Sequence, residues 1–164
     1  MNGLTDDRFL GIGDTSHALR VVVRLSAALV LGGAVGLERE QEGKRAGVRT
    51  HMLVALGAAL FTLAAIETRM TTADISRVMQ GVAAGIGFLG AGTIIKLSEQ
   101  HEVRGLTSAA SIWLTAAVGM AVGAGLLWPS VVSVALAWFV LFCLHRVERW
   151  FKHRGEIDAR PSER

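Results

Sequence analysis

Apolar and charged residues follow one another along this chain in blocks. Charges cluster at Glu38–Arg49, Glu67–Arg77, Lys96–Arg104 and His145–Arg164, and the stretches between them are apolar. Five such stretches cover residues 21–37, 52–66, 78–95, 106–127 and 130–144. A helix crossing a hydrocarbon core of about 30 Å needs about 20 residues, and tilt or local thinning lets shorter ones serve. The pattern predicts an all-α fold, a polytopic transmembrane helix bundle with about five spans. The second and fifth are short, so either can also be read as not fully crossing. The break between the fourth and fifth rests on Trp128-Pro129, because Pro ends a helix and Trp favours the interface. Merging those two gives a four-span version.

The third stretch contains GVAAGIGFLGAGT, with Gly81, Gly85, Gly87, Gly90 and Gly92 on one expected helix. In a water-exposed helix each glycine costs roughly 1 kcal/mol against alanine. In a bilayer, small residues let neighbouring backbones touch, and Gly81 and Gly85 have the G-x-x-x-G spacing that supports this. The third helix is therefore expected to be the central packing post. Gly85, Gly87 and Gly90 also spell G-x-G-x-x-G, the dinucleotide fingerprint. That motif needs a preceding strand and an acidic residue about 20 positions on. Position 110 is Ala, and the glycines lie inside the apolar run.

Two further helices carry small-residue faces. Gly32 and Gly36 are four apart in the first span, which is expected to pack on the third. Ser108, Ser111, Thr115 and Gly119, with Gly123, recur at three- and four-residue steps and share one face of the fourth. Such a face usually meets another helix; a water-lined passage is the rarer meaning. Arg24 is the one formal charge inside a span, and snorkelling to the outer surface is its simplest explanation. Thr71 to Asp74 forms a capping box ahead of the third helix.

Of the 164 residues 51% are hydrophobic, too apolar for an ordinary soluble domain. The net charge is +3, but its distribution points to orientation rather than nucleic acid. Twelve of the 17 Lys and Arg fall on the side of the first loop, the third loop and the tail. The positive-inside rule then puts the N-terminus outside and the tail in the cytoplasm. Residues 1–19 read as a polar arm in which Asp14, Thr15 or Ser16 caps the first helix, residues 20–144 as the transmembrane domain, and residues 145–164 as a basic tail. In that tail Trp150, Phe151 and the Arg and Lys around them suit anionic headgroups. Cys143 is alone, so it has no partner for an intramolecular disulfide, and reads as a packing residue.

The first loop, Gly36 to Met52, is dense in both signs of charge. Its bland reading is a solvated connector. The sharper one gathers Glu38, Arg39, Arg49 and His51, with Thr50 beside them, into a polar cluster at the inner mouth of the bundle. Here the chain resembles a known family. Gly32-Gly33, Gly36-Leu37-Glu38-Arg39, Ala46-Gly47-Val48-Arg49-Thr50-His51, Gly85 to Gly92, and Gly105-Leu106-Thr107 through Trp113 look like the MgtC/SapB family of bacterial inner-membrane proteins. The resemblance covers roughly residues 20–127. It implies an outside N-terminus and links to growth in low magnesium and to survival of pathogens inside host cells. Longer members carry a cytoplasmic regulatory domain after the last span, whereas 20 residues follow Leu144 here.

The resemblance also raises magnesium transport. Mg²⁺ takes hard oxygen ligands, usually with one or two carboxylates. All 14 Asp and Glu lie outside the five expected spans, so a pathway would rest on backbone carbonyls and the Ser/Thr stripe. No metal-ligand spacing, cofactor motif or nucleophile elbow is present, and an enzyme is not expected. The favoured expectation is a small bundle that binds other membrane proteins. The resemblance names the ATP synthase and small membrane peptides as partners, and a homo-oligomer is compatible with the same faces. The alternative is an Mg²⁺ transporter or its accessory.

Overall fold

The computed structural model describes residues 15–97 and 102–158. Its described part is a helical bundle made of α1 (Thr15–Gln41), α2 (Val48–Glu67), α3 (Thr72–Ala91), α4 (Leu106–Gly123) and α5 (Leu127–Asp158). A short antiparallel hairpin joins α3 to α4: β1 (Ile95–Leu97) pairs with β2 (Glu102–Arg104), Ile95 opposite Arg104. The expected cap at Asp14 lies outside the described residues, as do the side chains of Cys143 and of the basic tail.

Each expected span became a helix; α5 runs on past Leu144 to Asp158, into the expected tail, and three further differences at the ends bear on the packing. First, α1 continues past Leu37 to Gln41, carrying Glu38 and Arg39 into the helix. Second, α3 stops at Ala91, where Gly92 and Thr93 turn the chain, and the Thr93 hydroxyl donates to the Gly90 carbonyl at 2.7 Å. The β-branched pair Ile94-Ile95 then leads into extended backbone. What reads as a short charged turn is therefore a hairpin. Third, the α4–α5 break sits at Gly125 (φ +88°), not at Trp128-Pro129. The Leu126 N–H donates back to the Ala121 carbonyl and the Gly125 N–H to Val122, both at 2.9 Å. A left-handed glycine closes α4 in this way at little steric cost. Pro129 falls in the first turn of α5, where its missing N–H is not needed.

The centre of the bundle is shared by α4, which touches all four other helices, and α2, which touches α1, α3 and α4; α5 rests on α1 and α4. Ala28 and Val35 of α1, Ala55 and Ala59 of α2, and Val118 and Val122 of α4 form the main core, joined by Val134 of α5. Alanines at these positions bring the helix axes close. The third helix is peripheral, which corrects the expectation of a central post: Gly90 is its one buried residue among those described. Spacing identified small residues, but α2 offers small side chains on two faces, Ala55 and Ala59 toward α1 and α4 and Ala58 toward a second cluster with Ala116 and Met120.

The outer surface of the bundle is greasy, with Phe88 83% exposed and Leu53, Phe61, Leu136 and Phe139 also bare. A patch this extensive is a liability in water and ordinary in lipid. By length and composition α1, α2 and α4 can each cross a membrane, and α5 carries a shorter apolar part, Leu127–Phe142.

Candidate functional site

The strongest concentration of buried polarity lies where the end of α1, the start of α2 and the start of α4 meet. The elongation of α1 creates it. Glu38 and Arg39, expected in a loop beyond the span, are 8% and 3% exposed. The Arg39 guanidinium grips both Glu38 carboxylate oxygens through Nε and Nη2. A buried carboxylate therefore exists inside the bundle, against the expectation that all acids lie outside the spans. Burying either ion alone would be severely costly, and the pairing removes most of that cost.

The loop that follows is built to return α2 alongside α1. Gly43 takes a left-handed conformation (φ +66°), and the Lys44 N–H donates to the Arg39 carbonyl at 3.0 Å. Glu40 reaches forward to accept the Val48 N–H at 2.9 Å, so a carboxylate sits at the positive end of α2. Close approach then depends on two glycines. A Cβ at Gly36 would stand 2.6 Å from the Val48 Cα, and one at Gly32 would stand 2.6 Å from the His51 carbonyl oxygen. Both glycines serve contact between α1 and α2, not the expected contact with the third helix.

His51 is fully buried at this crossing. Its Nδ1 donates to the Gly47 carbonyl at 3.0 Å, and its Nε2 faces Ser111 Oγ of α4 at 3.3 Å. With Nδ1 carrying a proton, a neutral ring accepts at Nε2. The Ser111 hydroxyl proton then divides between Nε2 and the Ser108 carbonyl, 2.9 Å away. Glu38, Arg39 and His51 are thus brought together, whereas Arg49 and Thr50 are exposed and lie outside the cluster.

The hydroxyl stripe of α4 completes the interface. Ser108, Ser111 and Thr115 are buried, and Thr115 donates to the Ser111 carbonyl at 2.8 Å. Below them Gly119 lies against the backbone of Ala55, and a Cβ at Gly123 would meet the Ala59 carbonyl at 2.5 Å. This stripe is a close helix contact with α2.

At the opposite end, half-buried Arg24 reaches the end of α4, a partner that the snorkelling reading does not name. Its Nη1 donates to the Gly123 carbonyl at 3.2 Å, and its guanidinium lies over Gly125. A cation at the negative end of α4 offsets the helix dipole there. Nothing local in the sequence announces this partner 99 residues away. The same holds for Trp138, whose indole N–H donates to the Ala34 carbonyl at 2.9 Å. The Thr71 cap, by contrast, stands as read: its hydroxyl accepts the Asp74 N–H at 3.2 Å.

The remaining glycines behave differently. Gly90 packs on Ala109 of α4, with 3.6 Å between a built Cβ and the alanine methyl. At Gly92 a Cβ would meet Phe88 and Leu89 carbonyls of its own chain segment. At Gly81, Gly85 and Gly87, and at Gly57 of α2, it would meet nothing within 4 Å. Gly57, Gly81 and Gly85, with Leu53, Phe61 and Ile86, border an apolar groove of about 600 Å³ between α2 and α3.

The match to known sequences covers the bundle and the polar cluster together: the profile of the MgtC family matches residues 25–150. The chain belongs to the MgtC family. Protein SrpB of Synechococcus elongatus is 38% identical over 161 residues, spanning 90% of this chain and 87% of that protein. The putative magnesium transporter YhiD of Escherichia coli K12 is 37% identical over 133 residues, 77% of this chain and 61% of that protein. Protein MgtC of Brucella suis biovar 1 is 45% identical over 111 residues, 66% of this chain but 44% of that protein. The chain thus spans between under half and most of the length of these relatives. No solved structure matches it. Family membership and the apolar helices make this a membrane protein.

Proposed function

We propose that this MgtC-family chain works as a binding module for other membrane proteins, in the setting of magnesium limitation, and that a transmembrane helix of the partner occupies the α2–α3 groove. One observation carries the reading: the glycines bordering that groove meet nothing, whereas Gly32 and Gly36 of α1 and Gly119 and Gly123 of α4 lie against backbone. Small residues without an inward neighbour are the means by which helices associate in lipid. The groove is apolar throughout, so its occupant belongs in the hydrocarbon. The ATP synthase and small membrane peptides are the partners implied by the family resemblance, a second copy of the chain is a further one, and nucleic acid has no place. The orientation, with N-terminus outside and tail in the cytoplasm, rests on the Lys and Arg asymmetry.

The name of YhiD favours a second reading, Mg²⁺ transport. The donor set speaks against an autonomous pathway. Glu38 is the buried carboxylate among the described residues, and Arg39 already occupies both of its oxygens. Mg²⁺ binding would have to displace a guanidinium held in a bidentate grip. Two measurements on the full chain separate the readings. Co-purification with the ATP synthase from membranes of magnesium-starved cells, lost on Gly85→Leu, supports the binding module. Mg²⁺ uptake by liposomes holding the purified chain alone overturns it in favour of transport.

A further inference from the structure

Two residues of the first-loop motif, Arg49 and Thr50, stand outside the polar cluster, and both are exposed. Their places on α2 give them another neighbour. Residues four apart share a helix face, and Arg49 stands one turn before Leu53, Thr50 one turn before Val54. Leu53 and Val54 line the α2–α3 groove at the end nearer the first loop. The two side chains therefore rim that mouth of the groove. Among the described residues Arg49 has no ion pair or hydrogen bond, while the neighbouring acids are engaged, Glu38 by Arg39 and Glu40 by the Val48 N–H. A cation in the first turn of a helix opposes the dipole, and no acid stands in that turn of α2 to offset it. The other end of the groove is already neutral: Asp74, one turn before Val78, accepts from Arg77 at 2.9 Å and from the Thr71 hydroxyl at 2.7 Å.

We propose that the partner helix docked in the α2–α3 groove carries an Asp or Glu at the end that meets the first loop, where its carboxylate pairs with Arg49 and accepts a hydrogen bond from the Thr50 hydroxyl. The inference rests on the reading of this groove as a helix site and adds what the occupant must carry. A guanidinium takes both oxygens of a carboxylate, and a hydroxyl serves one of the remaining lone pairs. The pairing also fixes direction. A helix inserted the other way would bring its acid to the Asp74 end, where a carboxylate already stands. A second copy of the chain docked in parallel by the same face would set Arg49 against Arg49, so like charge disfavours it.

The test places the full chain in phosphatidylcholine liposomes with synthetic single-span peptides of about 22 residues. Each peptide is built of Leu and Ala with one G-x-x-x-G face, and the three differ only in bearing Asp, Asn or Lys at the boundary residue on the Arg49 side. Association is read by energy transfer between labelled chain and labelled peptide. The Asp peptide is expected to associate about fivefold more tightly than the Asn peptide, with the Lys peptide weakest. Arg49→Glu, which puts an acid where the dipole favours one and so keeps the helix, is expected to reverse the order. Thr50→Val should narrow the Asp preference, and Gly85→Leu should remove association of all three. Circular dichroism of every variant confirms that the helices are present. Equal association of the Asp and Asn peptides, lost on Gly85→Leu, overturns this inference while the helix site itself stands; no association of any peptide overturns both. An order that survives Arg49→Glu also overturns it, as does added phosphatidylglycerol that displaces all three peptides alike, which would make the occupant a lipid.

Discussion

The α1–α2–α4 side of the bundle and the α2–α3 side use the same residue for opposite ends. On the first, Gly32, Gly36, Gly119 and Gly123 admit another helix so closely that a methyl group would collide with backbone. On the second, Gly57, Gly81 and Gly85 border a groove that nothing fills. A small-residue motif thus states that something comes near without stating whether it is the same chain. The difference lies in what surrounds the motif. The tight side is where His51 of α2 bonds Ser111 of α4, close to the Glu38–Arg39 pair within α1.

Substitutions sharpen the contrast, beginning with the polar cluster. Arg39→Ala strands the Glu38 carboxylate in the interior and should cost about 3–5 kcal/mol, read as lowered thermal stability in detergent. The pair Glu38→Leu with Arg39→Leu should lose far less, and an equal loss would mean that shape rather than charge is at stake. Gly119→Ala pushes a methyl group into the backbone at Ala55 and should destabilise by about 1–3 kcal/mol in the same assay. His51→Ala leaves Gly47 and Ser111 without their side-chain partner, with an expected loss of about 1–3 kcal/mol. The smallest effect has the opposite sign. Gly85→Ala meets open space and should stabilise the isolated chain by about 0.5–1 kcal/mol through helix propensity. A Gly85→Ala chain as unstable as Gly119→Ala would erase the distinction between the two sides.

Much of the bundle was readable because the hydrocarbon requirement is a matter of length and composition, and both are visible in Leu106 to Gly123 or Met52 to Ile66. Ends were less readable. The helix over Glu38 and Arg39 is stabilised by their mutual pairing and by the return of α2, neither of which hydropathy counts. The α4–α5 turn depends on a left-handed Gly125, and Trp128-Pro129 drew attention only because Pro so often terminates helices. In the cluster, Glu38, Arg39 and His51 share a neighbourhood because Gly32 and Gly36 let α2 lie against α1. Arg49 and Thr50 belong to the same sequence motif, but their positions on the turn of α2 leave them exposed. The importance of Arg24 was visible as an anomaly, a charge in a span. Its role was not, since the Gly123 carbonyl it binds is supplied by a helix end far along the chain.

The acid and the base of the buried pair are sequence neighbours. They leave the ribosome one after the other, and each is the first counter-charge the other meets. The pair therefore enters the bundle as a single zwitterion, and neither ion has to find its counter-charge on another helix. Arg24 of the same helix is the opposite case, since the carbonyl it binds is made only when α4 has been synthesised.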